Sequence, residues 1–228
     1  MLVFDAISHT YKNEFTNEAY SSVSALLNKV KKPFDADTIA ARVAKKRNCT
    51  VEEVKAEWKQ ANDFSKDYGT EIHTAIEQYN KTGSYNMQYV DVVQAYIDLD
   101  IIDVKRDNLL VEQQVYSHEY KLAGTSDTIR IEDKGGFSVF DIKTNKKFNL
   151  YSQYNDYLLA PVDHLPACEY STYGLQLSLY AYMYQSMTGR KVNQLGIFYY
   201  DRNAVKFTYY PINYMKHEAI AILNHFRK

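Results

Sequence analysis

Three consecutive strand-like runs between residues 109 and 147 constrain this chain more than any other feature. They read Leu109-Leu-Val-Glu-Gln-Gln-Val-Tyr-Ser-His-Glu-Tyr120, Leu122-Ala-Gly-Thr-Ser-Asp-Thr-Ile-Arg-Ile131 and Phe137-Ser-Val-Phe-Asp-Ile-Lys143. Little more than Lys121 parts the first two. Glu132-Asp-Lys-Gly-Gly136, a Gly-Gly turn signal between β-branched and aromatic residues, parts the second from the third. The runs predict an antiparallel meander. Side chains alternate along a strand, so Asp141 and Lys143 leave one face and Ile142 the other. A short hairpin then sets Asp127 opposite Asp141. Two carboxylates on one patch repel unless a cation lies between them, and carboxylate oxygens suit Mg²⁺ or Mn²⁺.

Gly124-Thr-Ser-Asp127 is followed, fourteen positions after its acid, by Asp141-Ile-Lys143. Upstream stands Gly69-Thr-Glu-Ile-His73, and downstream Gln176-Leu-Ser-Leu-Tyr180. In this order the four motifs resemble the PD-(D/E)XK nuclease superfamily, in particular its RecB-like exonuclease branch, of the kind found in bacteriophages and in mitochondrial genome maintenance. Ser126 stands where the superfamily name has proline, as is usual in that branch. The resemblance covers about residues 69–200.

It implies an α/β fold with a restriction-endonuclease-like core, αβββαβ, in which helices flank a mixed central sheet. Residues 1–228 would form one nuclease domain: an N-terminal helical and hairpin region, 1–68, covering the site, and a core, 69–228. It also implies a Mg²⁺- or Mn²⁺-dependent deoxyribonuclease in which His73, Asp127, Asp141 and the carbonyl of Ile142 ligate one or two ions. Lys143 would position or deprotonate the attacking water. Gln176 would orient Lys143 or a phosphate, with Tyr180 supporting it from the same helix face. Glu77, four residues after His73, and Glu112, on the first strand of the meander, are candidate outer acids, a solvated edge being the other reading of Glu112. Ser22 and Ser24 would touch the substrate backbone, against an ordinary capping role for either serine.

The formal net charge of −1 means that a nucleic-acid enzyme of this composition needs a local basic patch, which Lys143-Thr-Asn-Lys146-Lys147 supplies. Cys49 and Cys168 lie far apart without CxxC spacing, which argues against zinc and against an iron–sulfur cluster. No basic-then-apolar leader and no membrane-length apolar run is present, so a cytoplasmic protein is expected, in the host cytoplasm if phage-encoded. The expected partners are DNA, single-stranded or end-containing, and replication or recombination proteins; no membrane is expected, and the chain is expected to be a monomer.

Helix signals precede the meander. Ser21 or Ser22 caps a short helix with Val23, Leu26, Leu27 and Val30 on one face, and Asp35 opens a second. Thr50-Val-Glu-Glu53 is a capping box for a long third helix that Gly83 stops, with a bend or break expected between Asp67 and Gly69. A further helix is read over residues 89–102. After Lys147 an irregular stretch to residue 171 carries Tyr151 and Tyr154. Lysines followed by spaced rings match a single-strand channel, and a loop buried by its own tyrosines matches equally. Residues 172–187 read as an amphipathic helix ended by Gly189. Two other classes stay open: an endonuclease on the same core, and a catalytically silent DNA-binding recombination factor.

Overall fold

The computed structural model describes residues 2–5, 10–102 and 108–227. Its centre is β6 (Gly136–Lys143), buried at every position but the last. A strand with neighbours on both edges and helices on both faces has no solvated side, which is why Phe137, Val139, Phe140 and Ile142 crowd this run. β4 (Leu109–Ser117) and β5 (Leu122–Ile131) precede it, and the three pair antiparallel as the meander predicts. β7 (Lys191–Asp201) joins β6 in parallel, and β8 (Lys206–Ile212) pairs antiparallel with β7. The sheet is therefore mixed, as the restriction-endonuclease-like core requires.

At the amino-terminal side, β1 (Leu2–Asp5), β2 (Thr10–Asn13) and β3 (Ala19–Ser22) form an antiparallel extension, the hairpin start expected there. β3 then runs parallel to β5, pairing Ser21 with Leu122 and Ser22 with Ala123. β4 occupies one edge of β5 from Leu122 to Arg130, so β3 and β6 must share the other. β6 takes that edge only from Thr128 onward. Residues 124–127 of β5 are left between two departing strands, and the sheet forks there.

Helices cover both faces. α1 (Val23–Asn28), α5 (Glu169–Thr188) and α6 (Lys216–His225) pack with Ile129, Phe137, Val139 and Ile197. On the opposite face α3 (Val51–Thr82) and α4 (Val90–Ile97) cover Phe140, Ile142 and Phe198. α5 is not the amphipathic helix expected: Leu175, Leu177, Leu179, Ala181 and Met183 are all buried, because sheet, α1 and α6 surround it. α4 is shorter than residues 89–102, following a 3₁₀ turn (Met87–Tyr89) and ending before Asp100, whose φ of 48° leaves the helical region.

α3 starts on the capping box, with Thr50 and Glu53 bonded reciprocally, and stops at Gly83 in the left-handed conformation. It does not break between Asp67 and Gly69, and the glycine has another reason. A Cβ on Gly69 would stand 2.9 Å from Thr144 Oγ1, so its absence lets the helix lie close to the end of β6. α2 (Ala36–Arg47), capped by Asp35, packs on the first turns of α3 through Ala40, Ala44 and Val54. Residues 59–67 of α3 are exposed around the whole helix. No described helix is long and apolar enough to cross a membrane.

Candidate active site

The fork brings together groups that a continuous sheet would hold apart. Asp141 and Lys143 share the parity of Val139 and leave β6 on the α5 side, whereas His73 comes from α3 on the other side. Asp127 stands in the gap and reaches both. Its Oδ2 accepts a 2.8 Å hydrogen bond from the Ile142 amide, which has lost its strand partner where β6 leaves β5. The same oxygen lies 3.3 Å from His73 Nδ1. Lys143 Nζ lies 2.5 Å from Asp141 Oδ2. That contact is an ion pair rather than an aligned hydrogen bond, for the buried oxygen has no hydrogen-bond partner.

Charge is shared unequally between the acids. Burial alone would raise Asp127, but His73 and Lys143 outweigh it and hold the carboxyl below its usual range. Asp141 is raised, because burial exceeds what Lys143 returns and Asp127 adds repulsion. Burial also works against the Lys143 ammonium, yet Asp141 and Asp127 keep it protonated and lift it above the ordinary lysine value. Lys143 is therefore a cation in this arrangement, suited to holding an oxygen rather than to taking a proton.

Glu112 faces the gap from β4. The β4–β5 ladder pairs Val111 with Thr128 and Gln113 with Ser126, leaving Glu112 and Asp127 across from one another. Glu112 has φ of 50°, a left-handed conformation costing about 1–3 kcal/mol for a non-glycine residue and typical of functional sites. It lines the same small pocket as His73, Glu77, Asn80 and Asp127. Glu112 is exposed on this edge strand, yet desolvation by the pocket wall, with repulsion from Asp127 and Glu77, pushes its carboxyl up to about 7. Glu77 is paired with Lys81.

On the other side, Gln176 Nε2 donates to Tyr180 Oη at 3.0 Å, so these two share a face as expected, but the amide is turned to the tyrosine rather than to Lys143. Tyr173 is the α5 side chain against the lysine, its ring centroid 4.7 Å from Nζ. Tyr173 belongs to none of the four motifs, although it lies one helical turn before Gln176. Tyr180 is buried against Gly124, where a Cβ would come within 2.5 Å of its ring. The glycine of Gly124-Thr-Ser-Asp127 is needed for that approach.

The remaining expected residues fall elsewhere. Ser22 caps α1, accepting from the Ala25 amide at 3.1 Å, and Ser24 is exposed on the same helix. Lys146 and Lys147 are exposed beyond β6. Tyr151 and Tyr154 line a cleft together with Lys31, Lys32 and Tyr173. Lys31 and Lys32 follow the first helix, and no local sequence pattern ties them to the site.

Among the described residues no three His, Cys, Asp or Glu side chains are grouped so as to hold a metal ion. In their present places His73 and Lys143 supply the positive charge. The donor chemistry nevertheless suits a hard divalent cation: two carboxylates beside an imidazole, with Lys143 now supplying the charge balance that a cation would. Cys49 lies by the α2–α3 contact and Cys168 at the start of α5, both as free thiols.

The His73–Asp127 pair sets a pH dependence. His73 is raised although burial opposes it, because Asp127 outweighs burial. A raised histidine stabilises fully below its unfolded value and stops doing so as pH climbs through its folded one; a depressed carboxyl stabilises above its unfolded value and fails as pH falls through its folded one. The loss of melting temperature in His73→Ala, measured with EDTA, should therefore be largest between about pH 4.5 and 6.5 and shrink toward pH 9. A loss independent of pH would mean that His73 acts by packing alone.

No protein-family profile matches the chain, and no curated protein matches it significantly. Solved structures do match. One is the protein SSO0001, at 14% identity over 90% of this chain and 72% of that one, with a TM-score of 0.37. Another is a candidate exonuclease from Eubacterium rectale, at 8% identity over 87% of this chain and 67% of that one, also with a TM-score of 0.37. Neither likeness is close enough to carry an activity across.

Proposed function

We propose that this chain is a DNA nuclease, a phosphodiester hydrolase that uses Mg²⁺ or Mn²⁺ and works from a free end of single-stranded DNA. The observation that carries the proposal is the convergence of Asp127, Asp141, Lys143 and His73 where β5 and β6 part. A silent binding protein would gain nothing from two adjacent carboxylates, Asp141 buried and Asp127 half-buried, which repel phosphate.

Asp127, Asp141, His73 and the Ile142 carbonyl would hold the cation. Such an ion, when bound, polarises a phosphate and lowers the pKa of water. The Lys143 ammonium, fixed between Asp141 and the Tyr173 ring, holds a phosphate oxygen or aligns the attacking water. Glu112 and Glu77 line the same small pocket as His73 and Asp127, so a cation held there would have two further carboxyls beside it. Tyr180, held by Gln176, keeps the fork in shape. In this proposal residues 1–228 act as one monomeric cytoplasmic nuclease domain, residues 1–68 adding to a 69–228 core, alongside replication or recombination proteins.

The test uses 5′- and 3′-labelled linear DNA, single- and double-stranded, with circular single strands as controls, in Mg²⁺, Mn²⁺ or EDTA. Linear single strands should shorten with either metal and persist in EDTA, and circles should survive. Cleavage of circles at the linear rate would turn the assignment to an endonuclease. No cleavage of any substrate would overturn it.

A further inference from the structure

A cleft of about 400 Å³ opens between the end of α1 and the irregular segment after β6. Its inner end is Tyr173, whose ring carries Lys143, so the cleft adjoins the fork. Its outer end is formed by Tyr151 and Tyr154, which are 79% and 84% exposed. Two rings left this far in water gain almost nothing from folding, and rings so placed are free to receive a ligand.

The charges in the cleft are already sorted. Lys32 is tied to Asp156 at 2.6 Å, and the Leu159 amide donates to the Val30 carbonyl at 2.7 Å, so the segment is fastened to the end of α1. Glu169 accepts from the Asn149 amide at 3.1 Å and from its side chain at 2.8 Å. Among the described residues lining the cleft, Lys31 is the cation without an ion pair. Lys31 is exposed at the cleft, yet desolvation by the cleft walls and the nearby Lys143 ammonium pull it below the ordinary lysine value, with Glu169 opposing. Lys31 and Tyr173 line the same cleft and Lys143 sits over the Tyr173 ring, so two ammonium groups flank its aromatic end, where an anion is favoured.

We propose that this cleft holds the unpaired nucleotides of a DNA strand next to the scissile phosphate, with bases stacked on Tyr151 and Tyr154 and a phosphate between Lys31 and Lys143. This rests on the nuclease assignment and adds the residues that hold the strand. A volume of about 400 Å³ falls in the range that takes small ligands, one or two nucleotides rather than a duplex. Stacking on rings does not select a base, so the strand is held without regard to sequence. Lys146 and Lys147 do not line the cleft, and Lys31, more than a hundred residues upstream, takes the place expected of them.

The test is fluorescence anisotropy of a dye-labelled twelve-nucleotide oligo(dT) in EDTA, where binding is read without cleavage. The double variant Tyr151→Ala, Tyr154→Ala should weaken binding about tenfold or more with the salt slope unchanged. Tyr151→Phe, Tyr154→Phe keeps the rings and should bind within about twofold of the parent chain. Lys31→Ala should weaken binding and lower the slope of log K against log salt by about 0.7, one phosphate contact on a single strand. Both tyrosines are exposed, so the fold should survive, as far-UV circular dichroism would check. Unchanged affinity in the double alanine variant overturns the proposal. So does equal binding of a blunt duplex of the same length, or binding of oligo(U) where oligo(dT) does not bind. Because binding and cleavage are read separately, oligo(dT) binding that follows these variants in a chain that cuts nothing would remove the nuclease assignment and keep the cleft. Cleavage with no response to these variants would do the reverse.

Discussion

Lys143→Ala and Asp141→Asn should each lower the turnover of linear single-stranded DNA by at least about two to three orders of magnitude, the usual cost of removing one fixed charge from a developing transition state. Affinity for oligo(dT) in EDTA should change little for Asp141→Asn, whose carboxylate does not face the tyrosine cleft. For Lys143→Ala it should fall modestly, because one of two ammonium groups near the phosphate is lost. The reduction therefore belongs in kcat. Lys143→Arg should not restore the rate. The lysine fits 2.5 Å from Asp141 Oδ2 and against Tyr173 as a compact ammonium, and a planar guanidinium needs a wider space and different angles. Asp141→Asn isolates the charge, since its shape is unchanged in a site where the acid is 2% exposed. Turnover within about threefold of the parent chain in both variants would remove Asp141 and Lys143 from the site, whatever the fold resembles.

What the sequence revealed was what neighbours decide. The capping box at Thr50 and Glu53, the Asp35 cap and the Gly83 stop are contacts within one helical turn, and each forms as read. The meander was legible because its connections are short and its periodicity strict. The fork was not, because it depends on β3 pairing with β5 from about a hundred residues away. Its consequences were hidden with it. Asp127 was expected opposite Asp141, but nothing local said that its carboxylate would take the Ile142 amide or that Glu112 would lie across from it in a left-handed conformation. Gly69 was misread for a related reason: a glycine in a helix suggests a break, whereas the cause is a tertiary approach by Thr144. Lys146 and Lys147 stand next to the motif in sequence, whereas the lysines that line the cleft are Lys31 and Lys32, brought there by the turn after α1. Proximity in sequence was a fair guide to secondary structure and a poor one to which side chains share the cleft.

Gly124→Val should be among the most damaging single changes outside the acids and the lysine. A Cβ at this position would stand 2.5 Å from Cε1 of Tyr180 and 3.3 Å from two more atoms of the same ring. The ring cannot swing away, because Tyr180 is 4% exposed, packed in the core, and bonded through Oη to Gln176. The strand cannot move either: Gly124 pairs with Val115 in β4, and Asp127 follows three residues later. Forcing extra carbons into a packed core costs about 1–3 kcal/mol, and the two branches of valine meet the ring together. Gly124→Ala should fall toward the lower end of that range. The cause is contact rather than backbone conformation, which makes a double-mutant cycle decisive. Tyr180→Ala alone should cost about 3–5 kcal/mol by leaving a cavity, as for other large aromatic rings. In that background Gly124→Ala should cost almost nothing, and Gly124→Val should recover part of the loss by filling the space. The coupling read from chemical denaturation should therefore reach about 1–3 kcal/mol. Additive effects would place the glycine's importance elsewhere, in the backbone of β5, and would separate Tyr180 from the fork that holds Asp127.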